Sequence, residues 1–260
     1  MRKIFYKLGK NALGQVWDMD IIIPLGKESH NDNIELRMLL RSIEKNGKNL
    51  GTIYIATVYP PKWLDQTKVV VVPIKDEFTS NKDANLHKKI LGVIEKYNIG
   101  RFVFSADDNA FLRKIDLNSL PITHNKRGIQ QLRTSNKWES RVINTIKFGE
   151  KRGIVLNCNF ESHCPMEFDG QKVLEGMKGV DYESQPGLTI CTCWKIVSND
   201  CANIGVEQSQ VKITMESAES AKRNNLTNGK LFLGYNDNAL QNGLKQKLLA
   251  LFPDKSQYEL

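Results

Sequence analysis

The chain has 260 residues, 40% hydrophobic and 25% charged, enough to bury one sizeable core or a core with a small satellite. Its 37 lysines and arginines against 29 acidic residues leave a net charge of +8, which favours a phosphate-bearing or polyanionic ligand, although a solvated surface that binds no nucleic acid carries the same excess. No apolar run approaches the ~18 residues of a membrane-crossing helix, and no apolar stretch follows the basic opening MRKIFYKLGK as in a secretory signal, so a cytosolic site of action is expected.

In chain order, DMDIIIPLG at 18–26 reads as a buried strand ending in a Pro-Leu-Gly turn. The segment 33–47 places Leu36, Leu39, Leu40 and Ile43 at helical spacing, and Asn46-Gly47 is a helix stop. Strands follow at 52–58 and in KVVVVPI at 68–74. The stretch 81–98 is a helix with Leu86, Ile90, Val93, Ile94 and Tyr97 on one face, and RFVFSADD at 101–108 is the next strand. Strand, helix, strand, strand, helix, strand predicts a parallel sheet covered by helices, with ligands at the carboxyl ends of the strands; Leu25, Gly26, Asp107 and Asp108 then share one rim.

The second half is less regular. A helix is expected over 137–153, short strands around 154–160 and 187–197, and a polar stretch from 198 to 230. A final helix carries Leu240, Leu244, Leu248, Leu251 and Phe252, stopped by Pro253. The organisation expected is one domain over 1–260, with a ligand-binding half at 18–115 and a second half at 116–260.

Five cysteines, Cys158, Cys164, Cys191, Cys193 and Cys201, form an odd set without the paired C-x2-C spacing of zinc knuckles, so buried thiols in strands are expected. Asp107 and Asp108 end an apolar strand; a divalent cation would compensate two carboxylates there, and Asp-Asp-Asn is equally good turn chemistry. Asn81 to Asn85 open a helix whose amides, with Lys82, suit phosphate or sugar hydroxyls as well as ordinary capping. Arg37 and Arg41 share a helix face that points to phosphate or to solvent. His163, in NFESHCPMEFD at 159–169, is a candidate catalytic or metal-binding histidine with structural roles as the alternative; His30, His87 and His124 have weaker cases.

The segments DIIIPLGKESHNDNIELRMLLRSIEKN, NKDANLHKKI, RFVFSADDNAFL, NFESHCPMEFD and the tail FLGYNDNALQNGLKQKLLALFPDKSQYE, in this order, resemble the GT-A-type glycosyltransferases related to the bacterial Stealth capsule sugar-phosphate transferases and their phage-borne relatives. The resemblance covers nearly the whole chain from Asp18. It implies a GT-A-like, Rossmann-like α/β fold, a mixed sheet flanked by helices, and transfer of a sugar from a nucleoside-diphosphate sugar. It implies donor contacts near Pro24, Leu25, Arg37, Lys82 and Asn85, a diphosphate or Mn²⁺/Mg²⁺ role for Asp107 and Asp108, and an active-site role for His163, with Asp108 catalytic. Ser105 stands where the usual Asp-x-Asp has its first carboxylate, so metal coordination is shared with His163 or Asp237, or is absent. The basic excess and the phage-borne relatives point to double-stranded DNA carrying hydroxymethylcytosine as acceptor, its base flipped from the stack. The alternatives are a cell-surface or capsular glycan acceptor, a two-metal phosphodiester-cleaving enzyme, and a non-catalytic nucleic-acid-binding module.

Overall fold

The computed structural model describes residues 18–27, 32–202, 204–226 and 228–260; the basic opening segment and His30 lie outside them. In chain order the elements are β1 (Met19–Pro24), α1 (Ile34–Asn46), β2 (Gly47–Lys48), β3 (Leu50–Ala56), β4 (Val70–Val72), α2 (Lys82–Tyr97), β5 (Arg101–Phe104), β6 (Asn109–Phe111), β7 (Ile115–Asp116) and β8 (Thr123–His124). There follow α3 (Lys137–Lys151), β9 (Met166–Asp169), α4 (Gly170–Met177), α5 (Ile190–Val197), β10 (Val206–Glu207), α6 (Gln208–Val211), β11 (Lys212–Met215), α7 (Ala218–Arg223), β12 (Phe232–Tyr235), α8 (Asp237–Ala239) and α9 (Lys245–Leu251).

The principal sheet runs β4-β3-β1-β5-β9, with the first four strands parallel and β9 antiparallel to β5. β1 is its middle strand. Its run of isoleucines is buried on both faces, as a central parallel strand requires. The pleat sends Ile21 and Ile23 to one face, where Leu36, Leu39, Leu40 and Ile43 of α1 cover them. Ile22 goes to the other face, against Ile90, Val93 and Ile94 of α2, with Val142 of α3 and Trp194 of α5 in the same cluster. The molecule is therefore a mixed α/β sheet flanked by helices. From β1 the chain winds outward through β3 to β4, then returns to place β5 on the far side of β1, creating a reversal of strand order between β1 and β5.

A smaller sheet, β11-β12-β6, continues from the carboxyl end of β5: β6 follows it in the chain and pairs antiparallel with β12. The expected halves 18–115 and 116–260 interleave, since β9 completes the first sheet and β6 completes the second. Arg41 of α1 fixes the last residues of the chain, donating to both carboxylate oxygens of Glu259 at 2.6 and 2.8 Å and to the Phe252 carbonyl at 2.9 Å.

Three expectations are corrected. Residues 187–197 hold the helix α5 rather than a strand, because ICTCWKIV is buried all round, its Thr192 and Lys195 included, and a short run buried on every side has no readable period. Residues 154–160 are irregular. The cysteines are accordingly not in strands: Cys191 and Cys193 are buried in α5, Cys158 and Cys164 are buried in connecting segments, and Cys201 is half-buried. The final helix is broken, since Asn242 and Gly243, the latter at φ 106°, leave helical geometry between α8 and α9; Leu240, Leu244 and Leu248 still reach the core. Among the described residues no helix is long and apolar enough to cross a membrane.

Trp194 is the centre of the larger core. Its ring stands edge-on to Phe102, Phe104 and Phe168 at centroid distances of 6.2, 5.9 and 5.1 Å. Its indole N–H donates to Nδ1 of His87 at 3.1 Å, so the His87 proton is on Nε2, facing the Leu188 carbonyl at 3.1 Å. His87 is thus structural. Burial pushes its pKa down to about 4, with the Leu188 carbonyl opposing. A depressed histidine holds full stability above its unfolded pKa near 6.5, and loses it as pH falls toward 4, in total on the order of 3 kcal/mol. Thermal melts should show this decline between pH 6.5 and 4. His87→Gln should melt lower at pH 7 but with a shallower pH dependence, and an unaltered slope would refute the assignment.

Candidate active site

β5 ends at Phe104, and the chain leaves the sheet through Ser105 and Ala106 into Asp107 and Asp108 before β6 begins. Ser105 is wholly buried and its hydroxyl donates to the Ala106 carbonyl at 3.1 Å, so it stabilises the turn. Asp108 Oδ1 lies 3.3 Å from Nε2 of His163, whose side chain is 52% exposed against 28% for Asp108. The histidine is reachable; the carboxylate sits behind it.

His163 occupies the left-handed backbone region, at φ 54°, an uncommon conformation that needs support from its surroundings. The support is specific. Lys212 of β11 donates to the His163 carbonyl and, at 3.4 Å, to the Ser162 carbonyl; Gln208 donates to the Ser162 carbonyl at 2.6 Å; and the Ser162 hydroxyl pairs with that of Thr123 at 2.5 Å. The Lys212 stem crosses Gly234 of β12 so closely that a Cβ on Gly234 would stand 2.2 Å from Lys212 Cε. A side chain at 234 would push the end of Lys212 away from the position in which it meets the His163 carbonyl.

The two aspartates are driven apart in protonation. Burial raises the Asp107 pKa, the charges of Asp108 and Glu35 add to it, and the result is about 7. Burial pushes the same way on Asp108, but the charge and hydrogen bond of His163, aided by Lys212, outweigh it and hold its carboxyl below the usual range. Burial lowers the Lys212 pKa, with Cys164 and Asp108 opposing. Tyr235 lies within the field of Glu35, Asp107 and Asp108; burial and these charges raise its pKa, and its hydroxyl is buried without a hydrogen-bond partner among the described residues.

Beside this cluster opens a cleft of about 540 Å³. Ala106, His163 and Lys212 join it to the aspartates, Phe104 and Trp138 are among its apolar lining, and Asp83 and Glu161 add carboxylates. Burial lifts the Asp83 pKa to about 6 against the pull of Arg141, 3.0 Å away, with Glu161 adding to the rise.

The structure brings Asp107, Asp108 and His163 together but places the other predicted residues elsewhere. Pro24 pairs with Ala56 inside the sheet, and Leu25 is fully buried with its carbonyl accepting from Lys89 at 2.7 Å. Arg37 lies over the Trp63 ring at 4.5 Å and beside Asp32 and Glu259 at 3.4 and 3.6 Å. Asn85 braces the loop before α2, accepting from the amides of Glu77 and Phe78 and donating to the Phe78 carbonyl. Lys82 is exposed, and the first turn of α2 offers Asp83 to the cleft. His124 faces the Asn125 carbonyl at 3.1 Å. Sequence reasoning missed Glu35, Lys212 and Tyr235. Glu35 carried one faint signal, an acid in the first turn of a helix at a position that proves 5% exposed.

Among the described residues no three His, Cys, Asp or Glu side chains converge as a metal cage. Asp107 and Asp108 suit the mode in which Mg²⁺ takes one or two carboxylates and draws its remaining ligands from substrate phosphates and water. Burial, with the charges of Asp108 and Glu35 added, disfavours the Asp107 carboxylate, and a cation beside it would favour the ionised form. The chain matches no family model and no curated protein.

Because the folded pKa of Asp107 is raised, its contribution turns against the fold as pH rises from about 4 through 7. Asp107→Asn should therefore melt higher than the parent at pH 8 without ligands, and with little difference at pH 4. Equal melting of the two proteins at both pH values would refute the assignment.

Proposed function

We propose that the chain is a nucleotide-sugar-dependent glycosyltransferase of GT-A type, transferring a sugar to an acceptor hydroxyl. The observation that carries this reading is the His163–Asp108 pair, 3.3 Å apart at the strand-order reversal of a parallel sheet, with a second carboxylate beside it and a cleft in front. That is the crevice in which open α/β sheets hold nucleotides and other ligands.

In this reading His163 takes the proton of the acceptor hydroxyl. Asp108, held ionised, orients the imidazole and stabilises the imidazolium that forms. Lys212 acts through the backbone, fixing the His163 carbonyl and with it the ring. Asp107 and the remaining oxygen of Asp108 would hold Mn²⁺ or Mg²⁺, which, when bound, neutralises the departing diphosphate. Trp138 and Phe104 give the cleft apolar faces against which a sugar or a base packs.

The test is a donor screen. Purified protein with Mn²⁺ or Mg²⁺ is mixed with UDP-, GDP- and CMP-sugars, and free nucleotide is followed with and without hydroxymethylcytosine DNA or a glycan acceptor. One donor should be turned over. Asp108→Asn and His163→Ala should each lower kcat by about 10²- to 10⁴-fold, the usual contribution of a positioned acid–base group. Full turnover in both variants would falsify the site, and absence of release from every donor would remove the transferase reading.

A further inference from the structure

The net charge of +8 is not spread evenly. The stretch 124–152 holds eight basic residues, Lys126, Arg127, Arg133, Lys137, Arg141, Lys147, Lys151 and Arg152, against Glu139 and Glu150. Its excess of six is most of what the chain carries. Of the eight, only Arg127 and Arg141 are in ion pairs among the described residues, with Glu139 and Asp83.

The helix α3 orders these charges. Val142, Thr145, Ile146 and Gly149 form its buried side. At 100° per residue Lys137, Lys147 and Lys151 fall on the opposite side, and all three are exposed. From Lys137 to Lys151 the stripe is about 21 Å long at 1.5 Å per residue. Toward its carboxyl end lies a groove of about 500 Å³ that Lys147, Phe148, Lys151, Arg152 and Lys178 help to line, with the Arg152 guanidinium 5.0 Å over the Phe148 ring. Toward its amino end Trp138 lines the candidate active-site cleft. Trp138 belongs to the buried side of the helix, and the three lysines to its solvent side.

The cleft itself is mixed in charge: Asp83, Glu161 and Glu216 line it beside Lys212 and His163, whereas Lys137, Lys147 and Lys151 stand together in solvent on α3.

We propose that the α3 face is a docking surface for a nucleic acid, whose phosphate backbone lies along Lys137, Lys147 and Lys151 and over the groove that Arg152 and Lys178 help to line. A duplex strand carries one phosphate per ~3.4 Å of axis, so the stripe spans about six phosphates. The docking stands on charge and placement alone; that the bound polymer is the acceptor rests on the transferase reading.

The test measures binding without any donor, so that it succeeds or fails independently of turnover. A fluorescent DNA duplex and the corresponding single strand are titrated against the full chain at several salt concentrations. The comparison is between Lys137→Glu/Lys147→Glu/Lys151→Glu and a control of equal charge change at exposed positions elsewhere, Lys62→Glu/Lys68→Glu/Lys222→Glu. The face variant should lose at least tenfold in affinity, and its log K against log salt should be shallower by up to about 0.9 for each phosphate no longer neutralised. The control should lose far less. Lys137→Gln/Lys147→Gln/Lys151→Gln provides a milder second variant, expected to fall between the parent and the charge reversal. Equal losses in face and control variants would reduce the effect to net charge and overturn the proposal. So would unchanged binding in both face variants, or a sulfated polysaccharide that displaces the DNA at lower concentration than DNA itself.

Discussion

A lysine ammonium shut away from water must find oxygen acceptors or lose its charge, and at Lys212 the acceptors are the backbone carbonyls of Ser162 and His163. That one requirement sets much of what surrounds it. The 162–164 segment is drawn over β11 and β12, His163 is held in a left-handed conformation, and its ring is carried to the Asp108 carboxylate. The positive charge of Lys212 also helps keep Asp108 ionised. Burial, with the Asp108 charge added, pushes the neighbouring Asp107 the other way, toward the protonated form. Two adjacent and chemically identical side chains are therefore shifted in opposite directions, a separation that suits them to different tasks.

The first sheet was legible because its signals are local. Isoleucine runs, a leucine face at helical spacing, and Asn-Gly and Asn stops all operate within a few residues, and β1, α1, β3, α2 and β5 are where such patterns put them. The rim containing Asp107 and Asp108 followed from that regularity. Where the signal is tertiary, the reading failed. α5 is buried on every side because helices and sheet enclose it, and so it mimics a strand. β9 consists of MEFD, too short to be read alone, and exists because β5 offers it an open edge.

The site divides along the same line. His163 attracted notice as a histidine between an apolar segment and a proline, yet its partner is 55 positions earlier and its support 49 positions later. Lys212 in VKITM and Tyr235 in FLGY are ordinary strand residues in isolation; only the pairing of β11, β12 and β6 gives them neighbours. Arg37, Lys82 and Asn85 have the chemical types that suit phosphate and sugar hydroxyls. Asn85 proves to be taken up in backbone bracing, and Arg37 by Trp63 and carboxylates near the carboxyl end of the chain and at Asp32. Residue type names what a side chain is able to do; packing decides whether it is free to do it.

Gly234 has neither charge nor polarity, yet the route of Lys212 runs through the space its side chain would need. The two positions are therefore tied in the order in which they can change. A larger residue at 234 is obstructed while Lys212 is in place, whereas shortening Lys212 first opens room that a side chain at 234 can then fill. Substitutions at 212 and 234 should therefore not add: the cost of a side chain at 234 should fall once Lys212 is shortened.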